Sequence, residues 1–433
     1  MTDRDNSLRR FEEDRFGLFI HWGLYAVSAR QEWIQSHERL TKEQYRRYFD
    51  RFDPKRYDPK AWARAAKDAG CRYAVLTTKH HDGFCLFDSA LTDFKATNGP
   101  AGRDLVREYV DAFRAEGLGV GFYYSLIDWN HEHYAAYGEW PHPMRDSEAF
   151  KEEFRDWDLY VAYMHDQVRE LLTSYGKIDY LFFDFSFGGF KGEKWRATEL
   201  VRMIRELQPG ILINNRLGAD LFRDDPEPYA GDFESSEQIL PPEGMRTASG
   251  KPIPWEACVT MNEHWGYCAH GSQYKTAAQL VRALVECVSK GGNFLLNVGP
   301  TAYGEIPTES LRLLGEIGAW MRDNGESIYG CTEAAFAKPD WGRFTQRGDK
   351  LYAHVFERPI GPIDLRGLNG RIGFARLLSD GSEARLIRPW NVDRYPDDAF
   401  LAFHNKLDSN EAETGPGLPC KIDTVVELEL IGE

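Results

Sequence analysis

The sequence predicts an α/β fold: a (β/α)8-like (TIM-type) barrel, somewhat irregular, followed by a small C-terminal antiparallel β-sandwich. Three observations predict it. Eight continuous apolar, aromatic-rich runs occur between Phe16 and Thr301, as parallel strands buried on both faces require. Helical periodicities lie between most of those runs. After about Ala335 the pattern changes to short alternating strands bounded by Gly, Asp, Asn and Pro. The predicted division is residues 1–334 for the barrel and 335–433 for the sandwich.

The elements follow in order. The strand-like runs are FGLFIHWG (Phe16 to Gly23), CRYAVLTTKHH (Cys71 to His81), GVGFYYSLIDW (Gly119 to Trp129) and DYLFFDFS (Asp179 to Ser186). They continue with ILINNR (Ile211 to Arg216), YAGDFES (Tyr229 to Ser235), WEACVTMN (Trp255 to Asn262) and NFLLNVGPT (Asn293 to Thr301). DPKAWARAAKDAG opens a helix with Asp58 as N-cap and Pro59 at the first helical position, and closes it on Gly70. RDLVREYVDAFRAEGLG repeats apolar residues at Leu105, Val106, Tyr109, Val110 and Phe113, then stops at Gly117. Longer helices are predicted over Ser147 to Tyr175, Lys194 to Leu207, Thr276 to Lys290 and Pro307 to Asn324. Between Tyr229 and Trp255 no helix is visible, so the barrel is expected to be irregular there. The sandwich strands are KLYAHVF, IDLRGL, RIGFARLL, ARLIRPW, AFLAFHN and TVVELELIGE.

Composition excludes several classes. The chain has 433 residues, 42% of them hydrophobic and 28% charged, so a large core is available and wholesale disorder is excluded. A net charge of −15 with no basic stripe argues against nucleic acid and anionic membranes as partners. No apolar run is long enough to span a bilayer. The opening MTDRDNSLRRFEEDRFG has no apolar segment of a signal peptide, and the expected location is the cytoplasm. Seven scattered cysteines without a C-x-x-C pair, and no Asn-x-Ser/Thr sequon, agree with a reducing compartment. The aromatic share of 14% is the informative excess, because sugar-handling proteins use such rings as apolar platforms.

In a parallel α/β barrel the active site lies at the C-terminal strand ends. Here those ends carry His21-Trp22, His80-His81-Asp82, Tyr124, Asp184, Asn215-Arg216, Asp232 through Glu237, Asn262 and Asn297. Asp184 emerges from a strongly apolar strand and needs a partner, for which Arg216 is the natural neighbour. The plainer reading of that pair is a structural ion pair between strand tips. Glu237 in GDFESSEQ can serve as an acid in a pocket that raises its pKa, but Asp232, Glu234, Glu243 and Glu256 compete with it. Two facing carboxylates in an aromatic mouth are what glycoside hydrolysis requires. His80-His81-Asp82 also invites a metal reading. Zinc needs three or four ligands, however, and adjacent histidines on a strand point to opposite faces, so at most one faces the mouth from the strand itself. No metal site is predicted; His131 and His133 are expected to line an entrance loop.

RFGLFIHWG, the Glu32-Trp33 pair, LTTKHHDGFCLFDS, GFYYSLIDW, INNR, GDFESSEQ, SKGGNFLLNVGPT and YGEIP together resemble the α-L-fucosidases of glycoside hydrolase family 29, in order from about Arg15 to Pro307. The resemblance implies a retaining, two-step hydrolysis without metal or organic cofactor, carried by a catalytic barrel with an appended β-domain. It makes Asp184 the nucleophile, as the aspartate ending the fourth strand. The family's Gly-Asp-aromatic pattern followed by Glu-Gln matches Gly231-Asp232-Phe233 with Glu237-Gln238, which favours Glu237 over Glu234 as acid/base. It further implies sugar-binding roles for His21, Glu32, Trp33, His80, His81, Tyr124, Arg216 and Trp265. The plainer reading of Tyr124 and Trp265 is as core aromatics. The chain departs from the family at FFDFSF, where many members read WFDG or WND, and at SSEQ, where TPEQ-like sequences are frequent. The implied partner is a small fucosylated carbohydrate; whether the chain forms a homo-oligomer is left open. The alternatives are action on a related L-sugar such as an α-L-galactoside, a metal-dependent hydrolase, or a catalytically silent sugar-binding barrel.

Overall fold

Eight parallel strands close around an aromatic core in the computed structural model, which describes residues 2–151, 154–270, 272–403 and 418–431. They are β1 (Phe16–Ile20), β2 (Tyr73–Lys79), β3 (Gly119–Ser125), β4 (Tyr180–Asp184), β5 (Leu212–Ile213), β6 (Glu234–Glu237), β7 (Trp255–Thr260) and β8 (Asn293–Val298). They are hydrogen-bonded in the order β5-β4-β3-β2-β1-β8-β7-β6. A single parallel bridge, Asn214 to Phe233, joins the two ends of that sheet and closes the ring. The sixth strand begins at Glu234 rather than at Tyr229, because the preceding residues form a turn whose Gly231 lies against the Asn214 carbonyl with no room for a Cβ.

Helices cover the outside where the sequence places them. Pro59–Asp68 is capped by Asp58, whose Oδ1 accepts the Ala61 N–H at 3.0 Å. Leu105–Ala115, Ala197–Leu207, Ala277–Val288 and Thr308–Asn324 follow. The helix expected from Ser147 starts instead at Trp157 and runs to Ser174, because the Asp156 side chain caps the Asp158 and Leu159 N–H groups there. Among the described residues no helix lies between Leu207 and Ala277, the stretch where irregularity was expected. None is long and apolar enough to cross a membrane.

Strand parity decides what fills the barrel. Phe19, Tyr73, Val75, Tyr123, Tyr180, Phe182, Phe233, Cys258 and Leu295 point inward and pack together, while Leu18, Leu76, Phe122, Leu181 and Phe183 point outward against the helices. Gly17 is glycine because the Tyr73 ring occupies the place of its Cβ. A helix that the sequence reading did not single out, Asp3–Asp14, is opened by a Thr2–Asp5 capping box and closes the barrel floor. Its Phe11 ring centroid lies 4.7 Å from Phe233, 5.6 Å from Tyr180 and 5.8 Å from Tyr73.

The C-terminal strands are β9 (Thr332–Glu333), β10 (Gly342–Arg347), β11 (Lys350–Val355), β12 (Ile363–Leu365), β13 (Ile372–Leu377), β14 (Arg385–Ile387), β15 (Ala399–Ala402) and β16 (Thr424–Leu430). They form antiparallel sheets ordered β13-β16-β11-β10-β9 and β12-β15-β14, with a core of their own around Leu351, Leu365, Leu401 and Val426. Of the predicted strand AFLAFHN, His404 and Asn405 lie outside the described residues, as do Gly432 and Glu433 of TVVELELIGE. The sandwich is fixed to the barrel's last helix where Trp320 Nε1 donates to the Asp423 carbonyl at 2.9 Å, and His354 Nδ1 meets Asp423 Oδ2 at 2.7 Å.

Candidate active site

Two carboxylates share one guanidinium at the C-terminal mouth of the barrel. Asp184 ends β4 two residues beyond Phe182 and so faces inward with it; Glu237 ends β6 with the inward parity of Phe233. Arg216, just beyond β5, lies between them: Nη1 donates to Asp184 Oδ1 at 3.0 Å and Nη2 to Glu237 Oε2 at 2.9 Å. Asp184 takes two further donors, the Phe185 N–H at 2.9 Å on Oδ1 and the Tyr123 hydroxyl at 2.8 Å on Oδ2.

Parity, depth and exposure separate the five competing acids. Glu234 points out of the barrel and is bonded to the Asn215 side-chain amide; burial raises its pKa to about 7. Asp232 pairs with Arg205 at 2.6 Å and Arg4 at 2.7 Å. Glu256 lies at the barrel floor against the Tyr73 hydroxyl, and Glu243 is exposed on a turn. Of these, Glu237 lines the pocket with Asp184.

That pocket has a volume of about 310 Å³, the size of a small ligand site. His21, Trp33, His80, His81, Arg216 and Trp265, six of the residues to which the resemblance gives sugar-binding roles, line it. Both histidines of the pair do so, against the expectation of at most one from the strand. The β2–β3 register slips between Thr77 and Lys79 and the strand ends there, which frees residues 80 and 81 from strict alternation. Burial lowers the pKa of His21 and of His81 to about 3, and that of His80 well below its ordinary value, so all three are neutral imidazoles at pH 7.

Hydrogen bonding assigns two of their tautomers. Ser125 Oγ donates to the Ile127 carbonyl at 2.7 Å, so its contact with His81 Nδ1, also 2.7 Å, takes the proton from the imidazole. Asn297 gives its amide N–H to the Trp265 carbonyl and presents Oδ1 to His21 Nδ1 at 2.6 Å. Both rings therefore carry the proton on Nδ1 and turn an Nε2 lone pair to the pocket. His81 Nε2 stands 3.7 Å from Asp184 Oδ2.

Two implied residues stand elsewhere. Tyr124 is a correction: it points outward, where its hydroxyl donates to Gln167 Oε1 at 2.8 Å in the helical layer, and the inward tyrosine is Tyr123. The register Tyr123↔Phe182 puts Tyr123 on the face of Phe182 and Asp184. Glu32 stands behind the pocket wall, accepting the Gly266 N–H at 2.8 Å next to Trp265; burial raises its pKa to about 7. His131 packs on Tyr160 and Tyr163, away from the pocket, and His133 lines a separate cavity of about 590 Å³ on the far side of Trp129.

Sequence reasoning missed Phe19, Tyr123, Trp140, Phe182, Phe185, Ser186, Phe187 and Cys258, which complete the lining. Strand parity finds Tyr123, Phe182 and Cys258; Trp140 comes from an irregular loop and carries no such signal. Phe185 and Gln238, the residues after Asp184 and Glu237, adopt φ of 77° and 56°. Left-handed backbone costs a non-glycine residue on the order of 1–3 kcal/mol and gathers at functional sites. Among the described residues no group of three His, Cys, Asp or Glu side chains is arranged to hold a metal ion.

The site's geometry is matched by kinship. The sequence model of the family described as alpha-L-fucosidase matches residues 1–326. The plasma alpha-L-fucosidase of Rattus norvegicus is 32% identical over 344 residues, which cover 74% of this chain and 70% of the relative. Among solved structures, alpha-L-fucosidase isoenzyme 1 from Paenibacillus thiaminolyticus is 61% identical, with a TM-score of 0.95 and full coverage of both chains. A family 29 alpha-L-fucosidase from Bacteroides thetaiotaomicron, trapped as a covalent intermediate with 2-fluoro-fucosyl fluoride, is 29% identical, with a TM-score of 0.82 over 99% of this chain and 97% of the other. With the barrel, the sandwich and the paired carboxylates, these similarities establish that the chain belongs to the α-L-fucosidases of glycoside hydrolase family 29.

Proposed function

We infer that the chain is an exo-acting retaining α-L-fucosidase that releases terminal α-L-fucosyl residues from oligosaccharides or glycoconjugates. The observation that carries this reading is the Asp184–Arg216–Glu237 bridge in an aromatic, histidine-lined pocket. Retention requires carboxyl groups about 5–5.5 Å apart, closer than the about 6.5–9.5 Å of an inverting site, and two carboxyls bound to opposite ends of one guanidinium suit the closer spacing.

Asp184 attacks the anomeric carbon while Glu237 gives a proton to the departing glycosidic oxygen, leaving a fucosyl-enzyme ester. Glu237 then takes a proton from water, which attacks the same carbon and restores Asp184. Tyr123, Arg216 and the Phe185 N–H hold the nucleophile in one orientation, which shortens the search for a reactive geometry. The Nε2 lone pairs of His21 and His81 accept from ring hydroxyls, and Trp265 and Phe182 offer apolar surface to the sugar's methyl face. A sugar-binding protein without catalysis has no use for a carboxylate held by three donors.

The test is hydrolysis of an activated aryl α-L-fucoside by wild type and by Asp184→Ala, with and without azide. Expected are turnover by wild type, a loss of about 10³-fold or more in the variant, and azide rescue that yields the inverted fucosyl azide. An undiminished variant would remove Asp184 from the mechanism.

A further inference from the structure

The rim of the pocket is built of aromatic rings that the attacked sugar does not need. Trp33, in the wall, stacks on Trp140 with centroids 5.8 Å apart and planes at 27°. Trp140 in turn meets Phe185 at 5.8 Å and Phe187 at 5.6 Å. Trp140 is 53% exposed and Phe187 63%, although both line the cavity. Large apolar rings left in water at the edge of a polar site mark a surface kept for a ligand.

The backbone adds a second, independent observation. Phe185 directly follows Asp184 and holds φ at 77°, a conformation that glycine adopts without strain and phenylalanine does not. The Asp184 carboxylate fixes its N–H, and the ring packs edge-on to His81 at 5.5 Å and lies tilted at 40° against Trp140. A strained phenylalanine kept beside the nucleophile indicates that the ring itself is used. The next residue ties this segment to the acid's side of the site: Ser186 Oγ donates to the Arg216 carbonyl at 2.6 Å, and the Arg216 side chain holds Glu237.

We propose that Trp140, Phe185 and Phe187 form a leaving-group subsite that receives the apolar face of a pyranose ring, so that the enzyme selects for sugar aglycones over small leaving groups. The proposal rests on the fucosidase reading. The inner layer of His21, His80, His81 and Trp265 surrounds the sugar that is attacked, and the rim rings lie outward of it, where the departing group must be. A pyranose presents a patch of C–H bonds that packs on such rings.

The experiment compares kcat/KM for a fucosyl-galactose disaccharide with kcat/KM for α-L-fucosyl fluoride, whose leaving group is a single atom. Wild type, Phe187→Ala and Phe185→Gly are measured on both. The ratio of disaccharide to fluoride is expected to fall about tenfold in Phe187→Ala, and to fall also in Phe185→Gly, where the new residue takes the backbone conformation freely. A ratio unchanged in both variants, or losses equal on the two substrates, would overturn the subsite while leaving fucosidase activity standing. Wild type inert toward both substrates would overturn the fucosidase reading and the subsite with it.

Discussion

On β3 the Tyr123 hydroxyl donates to Asp184, while that of Tyr124 donates to Gln167 behind the strand. A hydrogen bond to a charged group is worth about 1.5–3 kcal/mol, so Tyr123→Phe is expected to lower kcat/KM by about ten- to a hundredfold. Tyr124→Phe strands a buried acceptor on Gln167 and is expected to cost about 1–3 kcal/mol of stability while activity persists. Steady-state kinetics and denaturant melts on both variants check the assignment; an activity loss confined to Tyr124→Phe would reverse it. The resemblance pointed to Tyr124, the neighbour of Tyr123 in sequence; only strand parity, with the register Tyr123↔Phe182, tells two adjacent identical residues at a strand tip apart. Asp184 was legible because it ends a run of four apolar residues, and His21 because it continues the inward alternation of Phe19. Glu237 needed the register of β6, which four nearby acids obscure in the sequence.

The elements were most legible where their punctuation is local. Asp58-Pro59 opens its helix in the structure as in the sequence, and seven of the eight barrel strands fall within their apolar runs, β6 alone running past the end of its own. What the sequence concealed lies where long-range contacts replace local signals. β5 has two residues, and Asn214 and Asn215 extend it with their side chains: Asn214 bonds to the Phe183 N–H and carbonyl, and Asn215 to the Ser235 N–H and Glu234. This explains the INNR sequence as barrel closure leading into Arg216. Asp232 secures the same seam, taking the Ile213 N–H at 2.8 Å and the Arg205 and Arg4 guanidiniums on a fully buried carboxylate. Asp232→Ala is expected to destabilise the fold by about 1–3 kcal/mol, because the buried Ile213 N–H loses its side-chain acceptor while the water-accessible Arg4 and Arg205 guanidiniums can be solvated. Chemical denaturation measures that loss, and hydrogen exchange should locate it at residues 212–216. A loss below about 1 kcal/mol would show that the seam is held by other contacts.

Across the whole molecule, the barrel floor contributes a pH dependence to folding. Burial raises the Glu256 pKa from 4.5 to about 8, so the folded protein keeps a proton there that the unfolded chain gives up above its ordinary pKa. The stabilising contribution is therefore full below pH 4.5, falls as pH rises through that interval, and is lost above about 8. Glu256→Gln should flatten this part of the stability profile by a few kcal/mol, as thermal melts across the interval would show. A parallel profile in the variant would assign the slope to other groups. The overall architecture was legible because parallel strands and their helices each write a period into the chain, whereas the floor was not, since nothing local ties Phe11 to the residues it touches. That contact has a consequence for how the chain is made. Phe11 rests on Tyr73, Tyr180 and Phe233, and β1 pairs with β8. During synthesis β1 can meet β2 early, but its other partner β8, and the Tyr180 and Phe233 rings against Phe11, come only with the later strands. The floor and the closing edge of the ring are therefore completed by contacts far apart in sequence, which form late and slowly compared with any single turn.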